Sequence, residues 1–281
     1  MIPGRARTTA TGLLLALGLT LTGCSGEDEA GASGSGAGSG SGSGDPETTA
    51  SGEPLRTIRP GTLTVCSDIP YAPFDLLRGG TYTGFDGDLV QEIAAGLDLE
   101  LRVREFGFDA LQSGLALNAD RCDMVASAMG ITETREEKLD FTEGYYVMEQ
   151  SLMVRAGSDI TGLDDLEGRK VGVLQGTEGK TYAEGNAPSD ATVVSLSSDA
   201  EMVRALVARE VDAVVHDLPV NLAYAEGEAF VVVEKYPTDE AYGFAVKEGN
   251  TVLRDAINEQ LEELRDDGTY QSVYDDYFSI G

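Results

Sequence analysis

From about residue 60 to about residue 265, short apolar runs rich in β-branched residues alternate with stretches of helical period, and the series runs through twice. Residues 63–66 read as a first strand, closed by Ser67-Asp68-Ile69-Pro70. Asp86 opens a helix in which Leu89, Ile93 and Leu97 recur on one face. Residues 99–103 alternate as a strand, Phe108, Leu111 and Leu115 give another helical stripe, and 122–127 read as a buried strand. A β-α-β-α-β order demands a parallel sheet with right-handed crossovers. The pattern then restarts with strands at 150–155 and 170–174, a helix opened by Gly176-Thr177, and a strand at 192–196. A helix carrying Met202, Val203 and Leu206 follows, then strands at 211–215, 230–233 and 243–246, and a last helix with Leu253, Ile257, Leu261 and Leu264. The expected fold is α/β with two units of roughly 100 residues each rather than one. Ligands in such sheets bind beyond the carboxyl ends of the strands. Asp68, Ser127, Gly176 and Asp217 stand at those ends.

The first 54 residues lie outside this pattern. Arg5 and Arg7 precede a short apolar run at 13–21, the layout of a secretion signal over 1–23. The run is too short to span a bilayer, for which about 20 apolar residues are needed. Leu21-Thr22-Gly23-Cys24 looks like a bacterial lipobox, which implies that Cys24 is lipidated and becomes the mature N-terminus. Residues 24–54 show no periodicity, and 31–44 are all Gly, Ser or Ala, so they read as a flexible tether. The chain is then expected to be exported and held by lipid on the outer face of the cytoplasmic membrane. Outside the cytoplasm the remaining pair, Cys66 and Cys122, favours a disulfide closing a loop of about 57 residues; two buried free thiols are the other reading. One histidine and no paired cysteine spacing leave no expected metal site or cofactor. With 49 acidic against 20 basic residues the net charge is −29, which excludes nucleic acid as a partner.

Three segments could carry chemistry. In Ser127 to Arg135 a strand ends, Gly130 exposes backbone N–H groups, and Thr132 can cap a helix over Glu133. Arg135 in that first turn opposes the helix dipole, which makes sense if its fork grips a carboxylate; pairing with Glu136 or Glu137 is the other reading. Gly176-Thr177 follows a strand at a helix start, where free N–H groups bind anions. Glu178-Gly179-Lys180-Thr181 resembles a P-loop tail, but Leu174 stands where that motif needs glycine. Asp217 can hold an ammonium group or cap the next helix, and His216 reads as structural. Asp68 and Tyr71 add a carboxylate and an aromatic face; Tyr71 and Phe108 can equally be core, and core is the reading for Phe74. One cationic grip, backbone donors and two carboxylates suit an α-amino acid.

At these residues the chain resembles the family 3 periplasmic or lipoprotein solute-binding proteins of polar amino-acid ABC transporters. The resemblance covers 60–281 and is carried by Asp68-Ile69-Pro70-Tyr71-Ala72-Pro73-Phe74, Gly84-Phe85-Asp86-Gly87-Asp88-Leu89 and Phe108-Asp109-Ala110-Leu111. Asp123 to Arg135, Phe141 to Tyr146, Gly172 to Thr177 and Asp267 to Phe278 continue it. It implies the two-lobed type II periplasmic-binding-protein fold, each lobe a mostly parallel sheet flanked by helices. Lobe 1 would be 55–147 plus 242–281, and lobe 2 148–241. By resemblance Arg135 grips the α-carboxylate with N–H groups at Gly130 and Thr177, and Asp217 and the Ala128 carbonyl take the α-amino group. Tyr71 and Phe108 would sandwich the side chain, with Asp68 and Ser127 at its far end. Gly130 replaces a hydroxyl used by some members, and Glu178 stands where short polar residues are common; Glu178 either favours its helix start or reaches the ligand. Asp68 and Glu178 argue against an anionic side chain. The expectation is a monomeric binder of arginine, lysine, ornithine or histidine that delivers to a permease. The alternatives are a glutamine or other polar neutral binder and an enzyme like the cyclohexadienyl dehydratases.

Overall fold

A computed structural model describes residues 54–278. The expected signal at 1–23, Cys24 and nearly all of the tether lie outside the described residues. Strands β1 (Thr62–Ser67), β2 (Leu76–Arg78), β3 (Thr81–Thr83), β4 (Glu100–Glu105), β5 (Met124–Val125) and β6 (Leu139–Phe141) come first. Then follow β7 (Tyr146–Arg155), β8 (Lys170–Leu174), β9 (Thr192–Leu196), β10 (Ala213–Asp217), β11 (Phe230–Tyr242) and β12 (Ala245–Lys247). They build two five-stranded sheets, ordered β4-β1-β5-β12-β6 and β11-β7-β10-β8-β9, with β2 and β3 as a separate hairpin. In each sheet three strands run parallel, β4-β1-β5 and β10-β8-β9, and two close it antiparallel. All six residues of β1 are buried, as expected of a parallel strand covered on both faces.

The chain passes between the sheets twice, from β6 into β7 and from β11 back into β12. The two passages lie side by side, with Tyr146 paired to Tyr242 and the Tyr145 N–H donating to the Tyr242 carbonyl at 2.8 Å. Around the first sheet, helix Phe85–Gly96 buries Leu89, Val90 and Ile93, and helix Thr251–Asp266 buries Leu253, Ile257, Leu261 and Leu264. Gly84 enters the former at φ 104°, and a Cβ there would stand 2.1 Å from the Phe74 carbonyl oxygen, so only glycine fits. Helix Thr269–Phe278 lays Phe278 against Phe85 and Tyr146, both ring pairs at 4.9 Å. Phe74 is fully buried beneath them. No helix among the described residues is long and apolar enough to cross a membrane.

Several boundaries differ from the sequence reading. The stripe of Phe108, Leu111 and Leu115 is two short helices, Phe108–Gln112 and Leu115–Asn118. Gly114 separates them in the left-handed conformation at φ 74°, which leaves Leu115 64% exposed. The strand expected over 122–127 pairs only at Met124–Val125, although all six residues are buried. The strand expected over 211–215 sits two residues later, so His216 and Asp217 belong to β10 itself. Cys66 and Cys122 are joined.

Candidate functional site

Asp68 follows β1, Ser127 and Ala128 follow β5, and Asp217 ends β10, so three strand ends converge from the two sheets. Together with Tyr71, Phe108, Leu174, Thr177 and Glu178 they line a cavity of about 20 Å³, room for about one water. Eight of the ten expected binding residues are brought to this wall. Gly130 and Arg135 stand beside it, held to each other by a 2.8 Å hydrogen bond from Arg135 Nη1 to the Gly130 carbonyl. A cleft of about 770 Å³, lined by Arg135, Glu178, Gln112 and Glu240 among others, opens on that side.

Arg135 is 5% exposed and both terminal nitrogens of its guanidinium are engaged. Nη1 pairs with Glu178 Oε1 at 2.6 Å, not with Glu136 or Glu137. Nη2 donates to Gln112 Oε1 at 3.2 Å and to the Gly176 carbonyl at 3.1 Å. The guanidinium carbon lies 5.2 Å from the centre of the Phe108 ring. Phe108 thus stacks on a cation of the protein itself. Arg135 comes from helix Glu133–Glu136, and Thr132 precedes that helix without a side-chain capping bond, contrary to expectation. At four residues the helix is too short to hold Arg135; its partners across the cleft do so.

Asp217 accepts from the Tyr71 hydroxyl on one oxygen and from Gln150 Nε2 at 2.5 Å on the other. It makes no side-chain cap for helix Leu218–Ala225. The Asp68 carboxylate accepts the Phe108 N–H at 2.9 Å, and the Asp68 N–H donates to Ser127 Oγ at 3.2 Å. Ala128 sits at φ 41° with its N–H on Asp86 Oδ2 at 2.8 Å, so a buried carboxylate fixes this strained turn. The Thr177 N–H points back to the Leu174 carbonyl at 3.4 Å rather than into the cavity, while Thr177 Oγ1 caps helix Glu178–Asn186. His216 is buried, with Nε2 3.1 Å from Asp199 Oδ1. Gln112 and Gln150 were not expected. Neutral amides with no motif around them give no signal in one sequence. No cluster fit to hold a metal occurs among the described residues.

Burial dominates the electrostatics. It raises the carboxyls of Glu178 and Asp86 to about 7, and pushes Asp75 and Asp68 up as well. Burial alone would lower His216, but Asp199 and Asp217 outweigh it and raise the imidazole. A group whose folded value lies above its unfolded one stabilises fully below the unfolded value and loses that contribution as pH rises through the folded value. For Asp86 the window runs from 3.8 to about 7, and for Glu178 from 4.5 to about 7. His216 acts with the same sign, as does the net charge of −29, whose self-repulsion eases on acidification. Asp165, Glu201 and Asp267 are lowered and oppose this only at more acidic pH. The melting temperature is therefore expected to rise by several degrees from pH 8 to pH 5.5, at about 2–4 °C per kcal/mol. A melting temperature that is flat or falls over that interval contradicts this account.

Comparison with known proteins agrees with this geometry. Residues 63–280 match the bacterial extracellular solute-binding proteins, family 3. The histidine-binding periplasmic protein of Escherichia coli K12 is 31% identical over 234 residues, covering 79% of this chain and 89% of that protein. A solved ancestral arginine-binding protein bound to arginine is 34% identical with a TM-score of 0.73, covering 79% of this chain and all of the other. An ancestral amino acid-binding protein, a precursor of cyclohexadienyl dehydratase, is 33% identical with a TM-score of 0.71, covering 78% and 96%. A family match over most of the chain, on two sheets whose strand ends meet at one cavity, has one meaning: this chain belongs to the bacterial extracellular solute-binding proteins of family 3.

Proposed function

We propose that this chain is the extracytoplasmic binding protein of an amino-acid ABC importer and takes a cationic L-amino acid: arginine, lysine, ornithine or histidine. One observation carries the choice of ligand. Among the nine residues lining the cavity are three carboxylates, Asp68, Glu178 and Asp217, and no basic residue. Arg135 balances one of them from beside the cavity. A ligand with an α-ammonium and a second cation compensates the other two, and Tyr71 offers an aromatic face to that cation. An anionic side chain would be buried without a partner, at a cost of several kcal/mol. The similarity to proteins described as binding histidine and arginine supports the same reading.

In this reading lobe 1 is 55–147 plus 242–281 and lobe 2 is 148–241. Arg135 holds the α-carboxylate, Asp217 and the Ala128 carbonyl hold the α-amino group, and Asp68 and Ser127 meet the side-chain end. Cys24 carries the lipid, and the tether lets a monomeric body reach its permease at the outer face of the cytoplasmic membrane. The protein binds and releases its ligand without converting it, so purified protein turns over neither prephenate nor arogenate. Calorimetry against a panel of amino acids tests the assignment. The four cationic amino acids should bind more tightly than glutamine, and glutamate not at all. Tight glutamate binding overturns the ligand assignment, and no binding by any amino acid overturns the function.

A further inference from the structure

We infer that Glu178 is a built-in competitor for the ligand's α-carboxylate: it holds Arg135 until an amino acid displaces it. This rests on the amino-acid-binding reading above and adds to it a linkage between ligand and proton. Arg135 has no spare donor pair for an incoming carboxylate. Nη1 is divided between Glu178 and Gly130, and Nη2 between Gln112 and Gly176. The three carbonyl-type partners are neutral, so the carboxylate of Glu178 is the one an anion must replace. Gly130 eases the arrangement, since a Cβ there would come to 3.1 Å from the Glu178 carboxyl carbon and push that side chain back by a few tenths of an ångström.

A displaced Glu178 that remained an anion would have lost its cationic partner among like charges. Asp217 from β10 and Glu240 from β11 both act on it as like charges, and the Tyr242 phenol on β11 also feels its charge. Lys180 on its own helix is committed to Gln175 and Glu184. Two carboxylates on one arginine, inside a ring of further acids, are relieved when one takes a proton. The Glu178 carboxyl, already raised to about 7 by burial, is the one placed to do so. Binding thus takes one proton from solvent onto Glu178, and affinity falls as pH rises. His216, 3.1 Å from Asp199 Oδ1, also titrates behind Asp217. An ammonium arriving at Asp217 would make His216 release a proton, so its contribution has the opposite sign and persists when Glu178 is replaced.

Calorimetry of the whole protein with L-arginine and with L-glutamine, at pH 7 and 8 in buffers of different ionisation enthalpy, tests this. The wild type should take up a proton, and its Kd should weaken several-fold, up to about tenfold, per pH unit. Glu178→Gln should bind more tightly and take up no proton, leaving only the release from His216, so that its Kd no longer weakens as pH rises. The proton count of the wild type needs no variant and stands even where Glu178→Gln misfolds. Wild-type binding without proton uptake overturns the competitor. So does a Glu178→Gln protein that binds more weakly, which would make Glu178 a contact for the ligand's cation. If neither amino acid binds the wild type, the amino-acid reading itself falls.

Discussion

Arg135→Ala is expected to abolish binding of every amino acid, whatever its side chain, because all share the α-carboxylate. Truncating one partner of a buried, hydrogen-bonded charge pair costs about 2–5 kcal/mol, a factor of about 30 to several thousand in Kd. Arg135 belongs at the upper end of that range. It is 5% exposed, and its contacts to Gly176 and Glu178 also tie one sheet's side of the cleft to the other. Arg135→Lys should rescue little, since an ammonium cannot present two parallel donors while stacking on Phe108. The variant should still fold. Glu178, left without its cation, is near enough to titrating at about 7 that it can become neutral rather than remain a buried anion. Calorimetry of both variants, with their melting curves as the check on folding, decides the matter. Affinity within about tenfold of wild type in Arg135→Ala would remove Arg135 from the site.

Sequence reading located these residues unevenly. The strand limits 170–174 and 192–196 were legible to the residue because compact apolar runs there are bounded by breakers. Strand ends in turn pointed to Asp68, Ser127 and Asp217, since a doubly wound topology puts ligands there whatever their chemistry. Local conformation was harder. The break at Gly114 needs a positive φ that a helical stripe does not announce. The hairpin of β2 and β3 went unread although Gly79-Gly80, at φ 61° and 86°, is the dipeptide its two-residue turn requires. Pairings across the cleft were not legible at all. Arg135 had Glu136 and Glu137 beside it, and only folding brings Glu178, 43 residues on in the sequence, to 2.6 Å. Gly130 and Glu178 each looked like an isolated departure from the family pattern, and the structure sets them against each other.

Removing the Cys66–Cys122 bridge should lower stability by an amount comparable to emptying a large core site. The bond closes a sequence separation of 56, which in the chain-entropy model stabilises by about 4 kcal/mol. For a body of this size that is a fall in melting temperature of about 8–16 °C. The bridge has a second consequence through its position. Cys66 lies in β1, Cys122 just before β5, and the two strands are parallel neighbours with Cys66 opposite Val125. Asp68, one residue past β1, and Ser127, two residues past β5, are the ones that meet at the cavity wall. Loosening the strands loosens that pair, so affinity should fall along with stability. Reduction of the wild type and the double variant Cys66→Ala/Cys122→Ala separate the causes. Both sulfurs are buried among Leu111, Val125 and Leu139, and reduced thiols retain most of that packing. If the cross-link is what matters, reduction alone should produce most of the loss seen in the variant. A fall under about 3 °C on full reduction would mean that the strands are held by their hydrogen bonds and apolar packing alone.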